Sequence, residues 1–284
     1  MRILVTGATG FIGRALVTEL IRAGHHIRAA TRRPQHYEGA GEPTALDVGD
    51  QASVTRALRG CDAAYYLVHS MENEAFVADD RRAAEVFGDA AATANARVVY
   101  LGGMGGDVNT SKHLRSRHEV GQILRERADT VELRAAMVIG RGGASFEIMK
   151  QLVERLPVMA CPRWVTTRCQ PIALGDAVCY LAGSLDIPSG AYDIGGADIV
   201  TYEQMMRRYA RITQRRRLIV KVPVLTPSLS SLWIGLVTDQ RPSIARPLVD
   251  GLRVEVIADD ERIRGHIPLE PMGFDEAVKH ALTH

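Results

Sequence analysis

The chain has 284 residues, 46% of them apolar and 24% charged, so it is long enough to bury a core without disulfides or a structural metal. Disordered, collagen-like and coiled-coil chains are excluded by that composition, and a formal net charge of +2 excludes a protein that holds nucleic acid by bulk charge. The four cysteines, Cys61, Cys161, Cys169 and Cys179, form no C-x-x-C pair, which speaks against zinc or dithiol chemistry and for a reducing cytoplasm.

The first half alternates strand-like and helix-like segments. Arg2 to Thr6 reads as a buried strand that runs straight into a glycine-rich turn, so no signal peptide is expected. Arg14 to Ala23 has helical apolar spacing, with Gly24 where a C-cap belongs. His26 to Thr31 reads as a strand, Ala52 to Leu58 as a helix, Ala63 to Val68 as a strand and Arg81 to Ala94 as a helix. A strand from Arg97 to Leu101, a helix from His113 to Arg127 and a strand from Val131 to Ile139 follow. This alternation predicts an α/β fold, a doubly wound parallel sheet covered on both faces.

After Gly143 the rhythm changes. Helices are expected over Ser145 to Leu156, Leu174 to Leu185 and Tyr202 to Arg211, with strands at Ala191 to Ile194 and Leu218 to Val222. Trp164 to Pro171 reads as a return segment. We therefore expect a nucleotide-binding domain over residues 1–197, with an excursion near 141–170, and a smaller α/β cleft or lid region over 198–284. Leu229 to Val237, interrupted by serines, is about half the length that spans a bilayer. Prolines at 223, 227, 242 and 247 suit a lid of short segments.

The strongest local signal is Thr6-Gly7-Ala8-Thr9-Gly10-Phe11-Ile12-Gly13, between a strand and a helix. Gly7 permits a tight turn, Gly10 lets backbone approach a pyrophosphate, and Gly13 lets the helix pack on the strand. The helix start then offers free N–H groups and a positive dipole end, with Thr9, Phe11 and Ile12 the further contacts. A dinucleotide site is the expected result. Where an NAD site usually has a carboxylate, at the end of the second strand, this chain has Arg32 and Arg33. Two guanidinium groups suit a 2′-phosphate, so NADP(H) is favoured over NAD(H). The alternative is two solvated arginines in a chain where 31 of 35 basic residues are arginine. Asp47 and Val48, after the third strand, are positioned to touch the adenine.

This pattern resembles the extended and atypical short-chain dehydrogenase/reductases, with the NAD(P)-binding Rossmann fold. Val99 to Met104, His113 to Arg117, Gln170 to Ala173 and the tail Ala245 to Arg253 resemble the NmrA-like or YbjT-like subgroup. In typical members a Tyr four residues before a Lys, with a Ser or Thr on the fifth strand, does the proton chemistry. None of the eight tyrosines here has Lys four residues on. Matching on Ser116 puts His113 at the Tyr position, Arg117 at the Lys position and Gly102 or Gly103 at the Ser position. The resemblance implies that Arg117 bonds the ribose and that Val68, His69 and Ser70 lie beside the nicotinamide half of the cofactor. His69 and His113 are the candidate proton donors, with Arg117 beside them; the alternative for His113 is a polar helix residue facing solvent. Met71, Met104 and Met137 are candidates for an apolar pocket or for ordinary core.

Two functions follow. One is an NADPH-dependent reductase of a small apolar acceptor, such as a quinone or an enal. The other is a non-catalytic NADP(H) sensor or assembly factor acting through a protein partner. An epimerase or dehydratase ranks last, because it needs the missing Tyr as a base. Arg207, Arg208, Arg211, Arg215, Arg216 and Arg217 form a basic cluster that reads as a solvated helix face. No nucleic-acid partner is expected, a peripheral membrane contact is disfavoured, and the oligomeric state is open.

Overall fold

The structure is a computed structural model that describes residues 1–69, 76–105, 111–222, 238–239, 251–252 and 254–283. Ser70, Met71, the Leu229 to Val237 stretch, the four lid prolines and most of the tail from Ala245 to Arg253 lie outside these residues. The first half runs β1 (Arg2–Val5), α1 (Phe11–Arg22), β2 (His26–Thr31), β3 (Glu42–Ala45), α2 (Gln51–Leu58) and β4 (Ala63–Tyr66). It continues with α3 (Phe76–Ala94), β5 (Arg97–Gly103), α4 (Lys112–Arg127), β6 (Thr130–Ala135) and β7 (Val138–Ile139). Then come α5 (Ala144–Arg155), β8 (Val158–Cys161), β9 (Arg168–Cys169), β10 (Ile172–Ala173), α6 (Leu174–Gly183) and β11 (Gly190–Ile194). The chain closes with β12 (Val200–Thr201), α7 (Tyr202–Ile212), β13 (Leu218–Lys221), α8 (Glu261–His266) and α9 (Phe274–Thr283).

Seven strands form one parallel sheet in the order β11-β6-β5-β4-β1-β2-β3. Successive side chains on a strand point to opposite faces, so Ile3 and Val5 go one way and Leu4 the other. Ile3, Val5 and Tyr65 meet Leu16, Leu20 of α1 and Tyr180, Leu181 of α6. Leu4 and Tyr66 meet Val54 of α2, Phe87 of α3 and Leu124 of α4. Both faces are thus apolar, as a doubly wound sheet requires. Ile263 of α8 is buried in the same cluster as α1 and α6. A separate core forms where Phe146 and Met149 of α5, Met205 and Tyr209 of α7, and Phe274 and Val278 of α9 pack together.

Two expectations are corrected. The strand expected from Val131 to Ile139 is two strands. β6 ends level with the end of β5, where Met104 N–H donates to Ala135 O at 3.0 Å. The chain then leaves that sheet, and β7 pairs instead with β10. The basic cluster, expected as a solvated face, is largely committed to internal ties. Arg208 reaches Asp275 at 2.6 Å and Asp198 at 2.8 Å, and lies 5.2 Å from the centre of the Phe274 ring. Arg211 also pairs with Asp275, Arg207 with Glu203, and Arg217 donates to the Val153 and Glu154 carbonyls of α5. Asp198 accepts in turn from Phe274 N–H at 2.9 Å, so one arginine fixes the start of α9 against α7.

Glu132 on β6 is 1% exposed, and burial pushes its carboxyl above the usual range. Arg125 Nε donates to its Oε2 at 2.9 Å, while Oε1 has no hydrogen-bond partner among the described residues. A Cβ on Gly121 would overlap that carboxylate, and one on Gly102 would come within 3.1 Å of Oε1.

Because Arg208 is partly buried and satisfies two carboxylates over a ring, Arg208→Ala is expected to lower stability by roughly 1–2 kcal/mol in chemical denaturation. Arg216→Ala, on an exposed side chain in the same cluster, is expected to change it by less than about 0.5 kcal/mol.

Candidate functional site

The turn after β1 is built by contacts that admit no side chain. Gly7 has φ +65°, and a Cβ there would sit 2.8 Å from the Leu67 carbonyl oxygen at the end of β4. A Cβ on Gly13 would overlap the Gly7 carbonyl oxygen. Thr6, fully buried, locks the arrangement: its N–H donates to Tyr65 O at 2.9 Å and its hydroxyl accepts from Leu67 N–H at 2.8 Å. Gly10 caps α1 without a side-chain hydrogen bond, and the first turn of α1 carries no acid. Gly10 N–H is taken by Gly7 O at 2.8 Å, and the N–H groups of Phe11, Ile12 and Gly13, which have no intrahelical acceptor, form an uncapped, electropositive helix start. The Phe11 ring faces the other way, against the β7–α5 connection, where Cβ atoms on Gly140 and Gly143 would come within 2.8 and 3.0 Å of it. Only its backbone is left to serve an anion.

Arg32 and Arg33 follow β2 at the same edge of the sheet, and both are exposed. Arg33 N–H donates to Thr31 Oγ1 at 3.2 Å, and no acidic partner engages either side chain among the described residues. Asp47 lies just beyond β3, and its Oδ1 accepts from Gly49 N–H at 2.9 Å, a local turn. Val48 and Val68 are both half-buried against the core that α2, α3 and α4 share. The glycine cradle, the bare helix start and the free guanidinium pair fit a dinucleotide with its pyrophosphate over α1 and its adenosine toward β2 and β3.

Three polar side chains gather beyond Val68. Arg117, on α4, donates through Nη1 to His69 Nδ1 at 3.2 Å and through Nη2 to the Leu101 carbonyl. The His69 and His113 rings lie 5.6 Å apart, tilted by 47°. His113 is 8% exposed, so the solvent-facing alternative is corrected. Its pKa is pushed down to about 3, first by burial and then by the Arg117 charge. The His69 side chain is exposed. Desolvation, then Arg117 and His113, hold its imidazole well below the usual range. Both rings are therefore neutral near pH 7. An arginine can only donate, so His69 Nδ1 accepts and its proton sits on Nε2. The site offers a hydrogen-bond donor, not an imidazolium acid.

Gly102 and Gly103 end β5 under tight packing. A Cβ on Gly103 would meet Leu114 Cδ2 of α4 at 3.0 Å, with Arg117 Cδ at ordinary contact distance, 3.5 Å, and one on Gly102 would meet Glu132 Oε1 at 3.1 Å. Ser116 faces away and its hydroxyl donates to buried Asp80 at 3.2 Å. Met104 and Met137 are buried in the second core. Sequence reasoning missed Thr6 as the clamp of the turn; its signal is a hydroxyl ending an otherwise apolar strand. Among the described residues, no group of His, Cys, Asp and Glu can hold a metal ion, and no helix is long and apolar enough to cross a membrane.

Residues 7–137 match a family model described as NAD(P)H-binding. Cinnamoyl-CoA reductase 1 of Oryza sativa subsp. japonica is 36% identical over 83 residues, 25% of this chain and 25% of that protein. The chain thus aligns with about a quarter of the length of the curated plant reductases it matches. The NADPH-dependent quinone oxidoreductase of Escherichia coli, solved with NADPH, superposes with a TM-score of 0.76 at 17% identity, over 99% of this chain and all of that one. A short-chain dehydrogenase/reductase superfamily protein from Agrobacterium tumefaciens with bound NAD superposes with a TM-score of 0.73 at 18% identity, covering 100% and 96% of the two chains. The fold is shared; the identities are too low to transfer a substrate.

Below pH 6.5 an unfolded His113 takes up a proton that the folded chain refuses until about pH 3. Stability contributed by keeping this ring neutral is thus lost as pH falls from 6.5 toward 3, by up to about 1.4 kcal/mol per pH unit. Denaturant titrations at pH 7, 6, 5 and 4 are expected to show a shallower loss in His113→Leu. An unchanged slope would contradict the buried neutral ring.

Proposed function

We propose that this chain, an NAD(P)H-binding protein with the short-chain dehydrogenase/reductase fold, is an NADPH-dependent reductase of a small apolar acceptor such as a quinone or an enal. The observation that carries this reading is the Arg117–His69 pair at the carboxyl edge of the sheet. It is a preorganised donor at the place where this fold holds its nicotinamide. When bound, a reduced nicotinamide supplies a hydride. Gly7, Gly10 and Gly13 would seat the pyrophosphate, Arg32 and Arg33 the 2′-phosphate, Val48 and Val68 the adenosine, and Arg117 the ribose near Gly102 and Gly103.

What remains is the charge that develops on the acceptor oxygen. A neutral imidazole can stabilise it through Nε2–H, with Arg117 holding the ring in that tautomer. A neutral imidazole does not give up its Nε2 proton near pH 7. Acceptors whose reduced anion is weakly basic, and takes its proton from water, suit such a site. Quinones and enals are of that kind, whereas a saturated aldehyde yields a strongly basic alkoxide. The likeness to an NADPH-dependent quinone oxidoreductase supports the same choice. Membership of the NmrA-like subgroup and a place in the cytoplasm belong to this proposal; four free thiols fit a reducing compartment.

One observation favours a second reading, a non-catalytic NADP(H) sensor working through a protein partner. Arg117 is committed to His69 and to the Leu101 carbonyl, and neither imidazole is a ready acid.

Calorimetric titration with NADPH, NADP⁺, NADH and NAD⁺, followed by NADPH oxidation assays with a benzoquinone, an enal and a saturated aldehyde, separates the two. Turnover is expected with the first two acceptors only. His69→Ala is expected to lower that turnover by about 100-fold while NADPH affinity stays within about threefold. Replacing both Arg32 and Arg33 by Ala is expected to weaken NADPH by about 10- to 100-fold and leave NADH nearly unchanged. Tight NADPH, much weaker NADP⁺ and no turnover with any acceptor would replace the reductase by the sensor.

A further inference from the structure

Arg117 reaches two acceptors at once, His69 Nδ1 and the Leu101 carbonyl. An arginine stem has several rotatable bonds, so holding it in that one pose costs conformational freedom unless neighbours preset it. The neighbour that does so is Tyr100.

Tyr100 is the fourth residue of β5 and is 3% exposed. Its hydroxyl donates to the Arg117 main-chain carbonyl at 3.0 Å, and the Arg117 guanidinium carbon lies 6.0 Å from the centre of its ring. One phenol thus holds Arg117 twice. The hydroxyl pins this turn of α4 to the sheet, and the electron-rich ring face draws the cation toward the end of β5. The ring is set in turn by a row of aromatic contacts. Tyr66 of β4 lies 6.0 Å away, tilted by 56°, and Phe87 of α3 meets Tyr66 edge-on at 4.9 Å. Tyr66 stands three residues before His69, so the row that fixes Tyr100 also belongs to the strand that leads to His69. Burial pushes the Tyr100 phenol up to about 12, with the Arg117 charge opposing that rise, so the hydroxyl stays a donor near neutral pH.

We infer that Tyr100 is a positioning residue: it places Arg117, and through Arg117 it sets the orientation and the Nε2–H tautomer of the His69 ring. Its meaning for turnover rests on the reading above, in which His69 Nε2–H meets the acceptor oxygen. A group that works by orientation needs its support locked by packing and hydrogen bonds, and Tyr100 provides one of each. Phenylalanine at this position would keep the packing on Tyr66 and lose the tie to α4.

The test reads the His69 imidazole nitrogens by nuclear magnetic resonance near pH 7 in nucleotide-free protein, the signals assigned by their loss in His69→Ala. Wild-type protein is expected to show a protonated Nε2 and an unprotonated Nδ1. In Tyr100→Phe both signals are expected to move toward the average of the two tautomers. Turnover of NADPH with a benzoquinone is expected to fall about 10-fold in that variant, with NADPH affinity within about threefold of wild type. Tyr66→Phe, which trims the neighbouring ring of the same core, is expected to leave His69 unchanged. In an Arg117→Gln background, Tyr100→Phe is expected to add nothing at His69, because the effect runs through the guanidinium. Equal movement in Tyr100→Phe and Tyr66→Phe would mean a general loosening of the core and overturn the inference. So would a wild-type His69 already averaged between tautomers, further movement in the Arg117→Gln background, or His69 signals in Tyr100→Phe identical to wild type, with or without a loss of turnover. Movement of His69 in Tyr100→Phe alone, together with no wild-type turnover on any acceptor, would remove the reductase reading and leave the inference standing.

Discussion

The whole carboxyl edge of the sheet hangs on backbone meeting backbone without side chains between. Gly7 passes under the Leu67 carbonyl and Gly13 over the Gly7 carbonyl. A single buried hydroxyl, that of Thr6, fastens β1 to the extension of β4. Opening either approach by one methyl group would move α1 away from the sheet. The uncapped helix start would then no longer face the same space as Val68 and His69. A shift near 1 Å matters at a site that works by orientation.

Beyond Val68 the polar side chains are organised by one guanidinium, that of Arg117. Burial first, and then the Arg117 charge, hold the His69 and His113 imidazoles below their usual range, so both are neutral. The polar cluster keeps one protonation state across the physiological range. At Gly103 an added Cβ would meet Leu114 at 3.0 Å, so this glycine answers to the packing of α4 on β5.

The glycine turn could be read from spacing because each glycine answers a local steric demand. Alternating strands and helices could be read because a sheet covered on both faces needs apolar runs throughout. Other features depend on partners far along the chain. Nothing between Val131 and Ile139 breaks a strand; the break comes from where β5 ends. His113 sits on a helix of polar composition, and its burial is decided by what packs on α4 from outside. The arginine cluster looks solvated until Asp198 and Asp275 are brought beside it. Thr6 ends an apolar strand with a hydroxyl, but which group it holds is not legible, because that group is 61 residues away.

Glu132 and the glycines packed on it carry a lesson about descent. Gly121 and Gly102 are small because a carboxylate that cannot swing into water fills the space beside them. Gly121 cannot acquire a side chain while Glu132 stays in place, and Gly102 is crowded by it at 3.1 Å, yet Glu132 can shorten first and leave a tolerable void. A lineage leaving this arrangement therefore has one open order of events. The acid is lost, and only afterwards do the helix and strand glycines become free to vary. Chains of this fold that keep the acid are expected to keep both glycines.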